Sequence, residues 1–139
     1  LKLNEIVGLS PAQKLYALAI HDACVQREID LPELDDDQDF DEFVDEFRDQ
    51  NNDWFHSALS EIRYSGQDTG LRPIIDSRYY EIDSNAVQAL DGSYVEFAFL
   101  HGGGKHAEPE EAFDWVTHAR DVSCKTFERM VTVSEFSFI

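Results

Sequence analysis

The sequence predicts an α+β fold: a small, mainly antiparallel sheet of about three strands, packed with an N-terminal helix, a long acidic amphipathic helix and a helix in the C-terminal half. Three observations predict it. Apolar residues recur at helical spacing from Ala12 to Ile62, a strand-like alternation runs from Ser93 to His101, and the turn pair Asp91-Gly92 immediately precedes that alternation. The 139 residues are 42% hydrophobic and 12% aromatic, enough to build one core. No linker divides them, so residues 1–139 are read as a single domain.

Taken in order, Ser10-Pro11-Ala12-Gln13 has the form of a helix start, with Ser as N-cap, Pro at the first helical position and Gln three residues on. Ala12, Leu15, Tyr16, Ala19, Ile20 and Ala23 follow at helical spacing, and the helix is expected to end near Glu28, before Pro32. Phe40, Phe43, Val44, Phe47, Trp54, Phe55, Ala58, Leu59 and Ile62 keep the same period, which predicts one helix from about Asp39 to Arg63. Ser65 to Gly70 reads as a loop. Arg78 to Ile82 reads as a short strand, and Asp83 or Ser84 as the cap of a short helix through Ala86, Val87 and Leu90. In the strand Ser93–His101, Val95, Phe97 and Phe99 share one face, and Tyr94, Glu96, Ala98 and Leu100 the other. Glu108-Pro109 opens a further helix with Ala112, Phe113, Val116 and Ala119 at core spacing. Met130 to Ile139 is expected to close the sheet, with a bulge near Ser134.

Charge is the strongest functional signal. Twenty-nine acids against eleven bases give a net charge of −18, which opposes contact with nucleic acid or an anionic membrane and points to a basic partner. The charge is localised: Asp30 to Asp53 holds twelve acids and one base, Arg48. The expected recognition surface is Asp35, Asp36, Asp37, Asp41, Glu42, Asp45, Glu46, Asp49 and Asp53. Carboxylates four apart on a helix repel by a few tenths of a kcal/mol per pair. In a continuous helix Asp41–Asp45, Glu42–Glu46, Asp45–Asp49 and Asp49–Asp53 would all be such pairs, a strain that suggests use in binding.

This acidic segment resembles in composition the DNA-mimic proteins of phages and mobile elements, antirestriction and anti-CRISPR proteins among them. The resemblance implies an inhibitor that offers carboxylates to a groove built for a nucleic-acid backbone. A second expectation is an immunity protein or antitoxin that neutralises one basic nuclease toxin through an aromatic and acidic patch.

Enzyme signatures are lacking, and no cofactor is expected. Gly102-Gly103-Gly104-Lys105 is not a phosphate loop, because Phe99 stands where the first glycine is needed and His106 where Ser or Thr must follow the lysine. Imidazole and carboxylate groups at His101, His106, Glu108 and Glu110, with Asp114 and His118 beyond, are weak candidates for a divalent metal and hence for a small metal-dependent enzyme. Their spacing matches no zinc motif. Cys24 and Cys124, one hundred residues apart, are read as two buried thiols. No apolar run is long enough to span a bilayer, and Leu1 to Leu9 has no apolar leader core, so the expected location is cytoplasmic.

Overall fold

The computed structural model describes residues 1–126 and 134–138. Its helices are α1 (Pro11–Gln26), α2 (Phe40–Gln50), α3 (Asn52–Ser65) and the single turn α4 (Pro109–Ala112). The strands are β1 (Gln67–Asp68), β2 (Tyr80–Gln88), β3 (Tyr94–Gly102) and β4 (Arg120–Val122). They form one antiparallel sheet in the order β1-β2-β3-β4, with one strand more than the sequence suggests.

The N-terminal helix begins as its capping residues dictate. The Gln13 amide donates to Ser10 Oγ at 3.2 Å, and the Ser10 amide to Gln13 Oε1 at 2.9 Å. Leu15, Ala17, Ala19, Ile20, Ala23 and Cys24 are buried along α1. The helix ends at Gln26, and Glu28 takes a left-handed conformation with φ 55° that lets the Ile29 amide return to the Cys24 carbonyl at 3.1 Å.

The long acidic helix is in fact two helices. Asn51, with φ −137° and ψ 47°, ends α2 and starts α3. Gln50-Asn51-Asn52-Asp53 places three short polar side chains in a row, and such residues compete with the helical backbone for hydrogen bonds. Aromatic periodicity continues across the break because both helices bury one stripe in the same core. Phe40, Phe43, Val44 and Phe47 come from α2, and Phe55, Ala58 and Ile62 from α3.

β2 and β3 form a hairpin paired from Tyr80↔Gly102 to Gln88↔Tyr94. Asp91-Gly92 makes its turn, Gly92 at φ 86° and the Asp91 carboxylate accepting from the amide and hydroxyl of Ser93 at 2.9 and 2.5 Å. The short helix expected through Ala86 and Leu90 does not form. Pairing with β3 satisfies the backbone of Ser84 to Gln88 along a ladder, which outweighs a weak local helix signal. Val87, Val95 and Phe97 face the helices and join the main core. On the opposite face Ser84, Glu96, Ala98 and Leu100 are buried as well.

The helix expected after Glu108 stops after one turn. Phe113 is extended, and the Asp114 carboxylate starts a separate turn by accepting from the Thr117 amide at 3.1 Å and hydroxyl at 2.6 Å. Trp115 and Val116 still reach the core, and Phe113 and Ala119 pack against it. The expected closing strand falls partly outside the described residues, at Met130–Val133 and Ile139. Ser134 to Phe138 has no regular secondary structure, and Phe136 and Phe138 are exposed. The sheet is closed instead by β4. Cys24 is buried as expected, whereas Cys124 is exposed, and both are free thiols. Among the described residues no helix is long and apolar enough to cross a membrane.

Candidate functional site: an acidic surface on a broken helix

All nine carboxylates of the expected surface are exposed. Asp35, Asp36 and Asp37 lie on the segment leading into α2. Asp41, Glu42, Asp45, Glu46 and Asp49 are the exposed acids of α2, whose aromatic stripe is buried, and Asp53 sits in the first turn of α3. The break at Asn51 corrects the repulsion expected from sequence. Asp49 and Asp53 are not partners on one helix, and Asp53 is favourably placed at a helix N-terminus. Asp49, in the last turn of α2, meets carbonyl ends instead and is unfavourable there.

Little of this charge is neutralised locally. Arg48 pairs with Asp45 one turn away. Gln13 donates to Asp41 at 3.1 Å and Gln38 to Glu46 at 3.2 Å, both amides rather than cations. Among the described residues, no hydrogen bond or ion pair reaches the carboxylates of Asp35, Asp36, Asp37, Glu42, Asp49 or Asp53. The support beneath is firm, because Phe40, Phe43, Val44 and Phe47 anchor α2 in the core.

A groove of about 380 Å³ opens between this helix and the segment before it. Glu33, Asp35 and Glu46 are acidic residues of its lining, Phe43 and Phe47 are aromatic ones, and Gln38 bridges helix and loop. The loop wall is tied down at the N-terminus. Leu34, itself buried, exchanges backbone hydrogen bonds with Leu1 at 2.9 Å in both directions, and Lys2 bridges to Glu33.

The residues considered for a metal go to separate partners. His101 lies 3.0 Å from Asp83 and 3.4 Å from Glu81 across the hairpin. His106 stacks on Tyr79 at 4.0 Å between ring centroids. Glu110 accepts from Ser60 at 2.6 Å and approaches Arg63 at 3.9 Å. Glu108 is the N-cap position of α4. His118 bonds the Asp114 carbonyl through Nδ1 at 2.9 Å. The described residues contain no group of three or more His, Cys, Asp or Glu placed to hold a metal ion.

Sequence reasoning missed two buried charges. Glu96, 1% exposed on the outer face of the sheet, accepts from Arg120 Nε at 2.6 Å and from Ser84 at 2.9 Å. That hydrogen bond raises the Arg120 pKa further, and Arg120 also donates to the Arg72 carbonyl at 3.1 Å. Arg63, also 1% exposed, donates to the Leu100 carbonyl and lies over the Phe99 ring at 4.3 Å. The lone acid in the otherwise apolar run of β3 was the only available clue to the first. Both clusters tie elements of the fold together and lie apart from the acidic surface.

No family model matches the chain, and neither a curated protein nor a solved structure matches it.

Proposed function

We propose that this chain is an inhibitor that binds a basic, nucleic-acid-binding protein and occupies its nucleic-acid groove with the carboxylates of α2 and its flanks. The observation that carries this reading is the set of exposed carboxylates on a well-anchored helix, most of which meet no cation among the described residues. Holding like charges close together costs stability, and contact with a cationic groove recovers that cost. The affinity would come from the same phosphate-binding cations that normally hold DNA or RNA, and association would be fast and salt-sensitive. In role this is the antirestriction or anti-CRISPR kind of inhibitor, and a cytoplasmic setting follows from such a partner.

The test is capture of partners from a bacterial lysate at low and high salt, followed by competition with nucleic acid. A partner that high salt releases, and that nucleic acid displaces, supports the reading. A chain with Asp45, Glu46 and Asp49 all changed to Lys should lose that partner; retention of wild-type binding would sink the proposal. Capture of one nuclease whose bound nucleic acid stays in place would favour the immunity-protein reading instead.

A further inference from the structure

The groove beside α2 has a composition that the carboxylate row alone does not. Its lining combines the aromatic residues Phe43 and Phe47 with the acidic residues Glu33, Asp35 and Glu46. Phe43 and Phe47 are 6% and 8% exposed as whole residues, so both belong chiefly to the core and border the groove with only a small apolar margin. At about 380 Å³ the space is near the lower end of the range for ligand sites, about 300–1,000 Å³. It has room for one long side chain and its planar head group.

We infer that this groove is a slot for an arginine side chain of the basic partner, an inference that rests on the function proposed above. A guanidinium is planar, stacks on aromatic faces and donates in a fork that matches carboxylate oxygens, whereas an ammonium is a compact and more strongly hydrated point charge. The slot offers both kinds of surface a guanidinium uses: an aromatic margin at Phe43 and Phe47, and acidic residues on both walls. Glu33 and Asp35 come from the loop wall, and Glu46 from the helix. Both walls are fixed before binding. Gln38 donates to Glu46 at 3.2 Å and its carbonyl accepts from the Asp35 amide at 3.4 Å, tying helix to loop, and Leu34 is held to the N-terminal residue. Pre-set walls spare the ordering cost of closing around a guest. Arginine–aromatic contacts already occur within the chain, with the Arg27 guanidinium 4.5 Å from the Trp54 ring centre and that of Arg63 4.3 Å from the Phe99 ring centre. Arginine is also among the side chains most often found at binding hot spots, in well-packed and desolvated pockets.

The test compares octa-arginine and octa-lysine peptides, equal in charge, binding to the whole chain at one fixed salt concentration. Wild type should bind the arginine peptide roughly fivefold tighter. The combined substitution Glu33→Gln, Asp35→Asn, Glu46→Gln should abolish that preference. The control Glu42→Gln, Asp49→Asn, Asp53→Asn removes the same charge outside the slot and should keep the preference while weakening both peptides alike. Both variants change exposed side chains only, and unchanged circular dichroism and melting would verify their fold. If wild type binds the two peptides equally, or if the two variants lose the preference equally, the slot is wrong, although a non-selective acidic surface would still stand. If neither peptide binds, the slot and the basic-partner reading both fall.

Discussion

The Asn51 amide and the Asn51 side-chain Nδ2 both donate to the carbonyl of Phe47, at 2.9 and 3.3 Å. One residue thereby closes α2, and its own carbonyl accepts the Phe55 amide at 2.9 Å to open α3. The acidic surface is consequently carried on two helix ends meeting at a joint, and its charges near the joint are not equivalent.

Asp49 and Asp53 should therefore respond oppositely to charge reversal. Asp49→Lys puts a cation in the last turn of α2 and should stabilise by about 0.3–1 kcal/mol at low ionic strength. Asp53→Lys puts one in the first turn of α3 and should destabilise by about the same amount. Urea denaturation at low salt reads both, and equal signs would mean that the helix is continuous through Asn51.

The Glu96–Arg120 pair predicts a different asymmetry. Arg120 is partly exposed and can turn to water when its partner is lost, whereas Glu96 is enclosed. Arg120→Ala strands a buried carboxylate and should cost about 3 kcal/mol, near the lower end for breaking a buried pair. Glu96→Gln keeps a polar group facing Ser84 and Arg120 and should cost about 1 kcal/mol. Thermal melts of the two variants give the comparison; a larger loss for Glu96→Gln would show that the carboxylate is not the costly member to leave alone.

Periodicity located α1 and the buried stripe of α2 and α3, because both follow from which residues avoid water. The Ser10 cap and the Asp91-Gly92 turn were also legible, since each uses a side chain close by in sequence. The break at Asn51 was not, because the apolar period runs through it undisturbed and only the polar run at 50–53 argues against a continuous helix. The second half of β2 carries a local helix signal, and its ladder depends on a strand beyond the turn. Arg120 and Glu96 meet as cross-strand partners in a pairing invisible to local patterns. The acidic surface itself was fully visible, as charge that cannot be buried unpaired must lie outside. The groove beside it was not, since it needs Glu33 and Asp35 folded back against Phe43, Glu46 and Phe47.

Acid should reveal the turn at Asp114. Hydrogen bonds from the Thr117 hydroxyl, and less strongly from its amide, hold the Asp114 carboxyl below its ordinary value against a smaller opposing effect of burial. A folded-state pKa below the unfolded one adds stability that is present above the unfolded value, about 3.9 for aspartate, and is lost as pH falls through the lowered folded value. Thr117→Val removes the hydroxyl donor. The melting difference between wild type and this variant should be full near neutral pH and shrink below about pH 4. A difference that stays constant into strong acid would exclude this role for Asp114.

The two thiols should separate cleanly in reactivity. Burial raises the Cys24 thiol pKa, with Arg27 opposing weakly, and the side chain is fully enclosed. Cys124 is exposed. Titration of the native chain with a thiol-reactive dye should label one cysteine quickly, and the second only after denaturant is added. Cys124→Ser should remove the fast phase entirely. Survival of a fast phase in that variant would mean that the helix carrying Cys24 opens readily.

Three consecutive glycines follow β3, and substitution should distinguish them. Gly102, Gly103 and Gly104 all have positive φ, so alanine at any of them strains the backbone, by about 1–2 kcal/mol. At Gly102 and Gly104 a Cβ meets open space, but at Gly103 it falls 2.3 Å from Tyr80 Cε1 and 2.7 Å from Cδ1. Tyr80 cannot swing aside freely, because its hydroxyl donates to the Ala107 carbonyl at 2.5 Å and its backbone pairs with Gly102. Gly103→Ala should therefore cost at least about 1 kcal/mol more than either neighbour. Repeating all three substitutions in a Tyr80→Leu background isolates the clash from the strain common to the loop. The excess at Gly103 should shrink there, since the rigid ring and its hydroxyl tether are gone; an excess of unchanged size would assign the cost to the backbone alone.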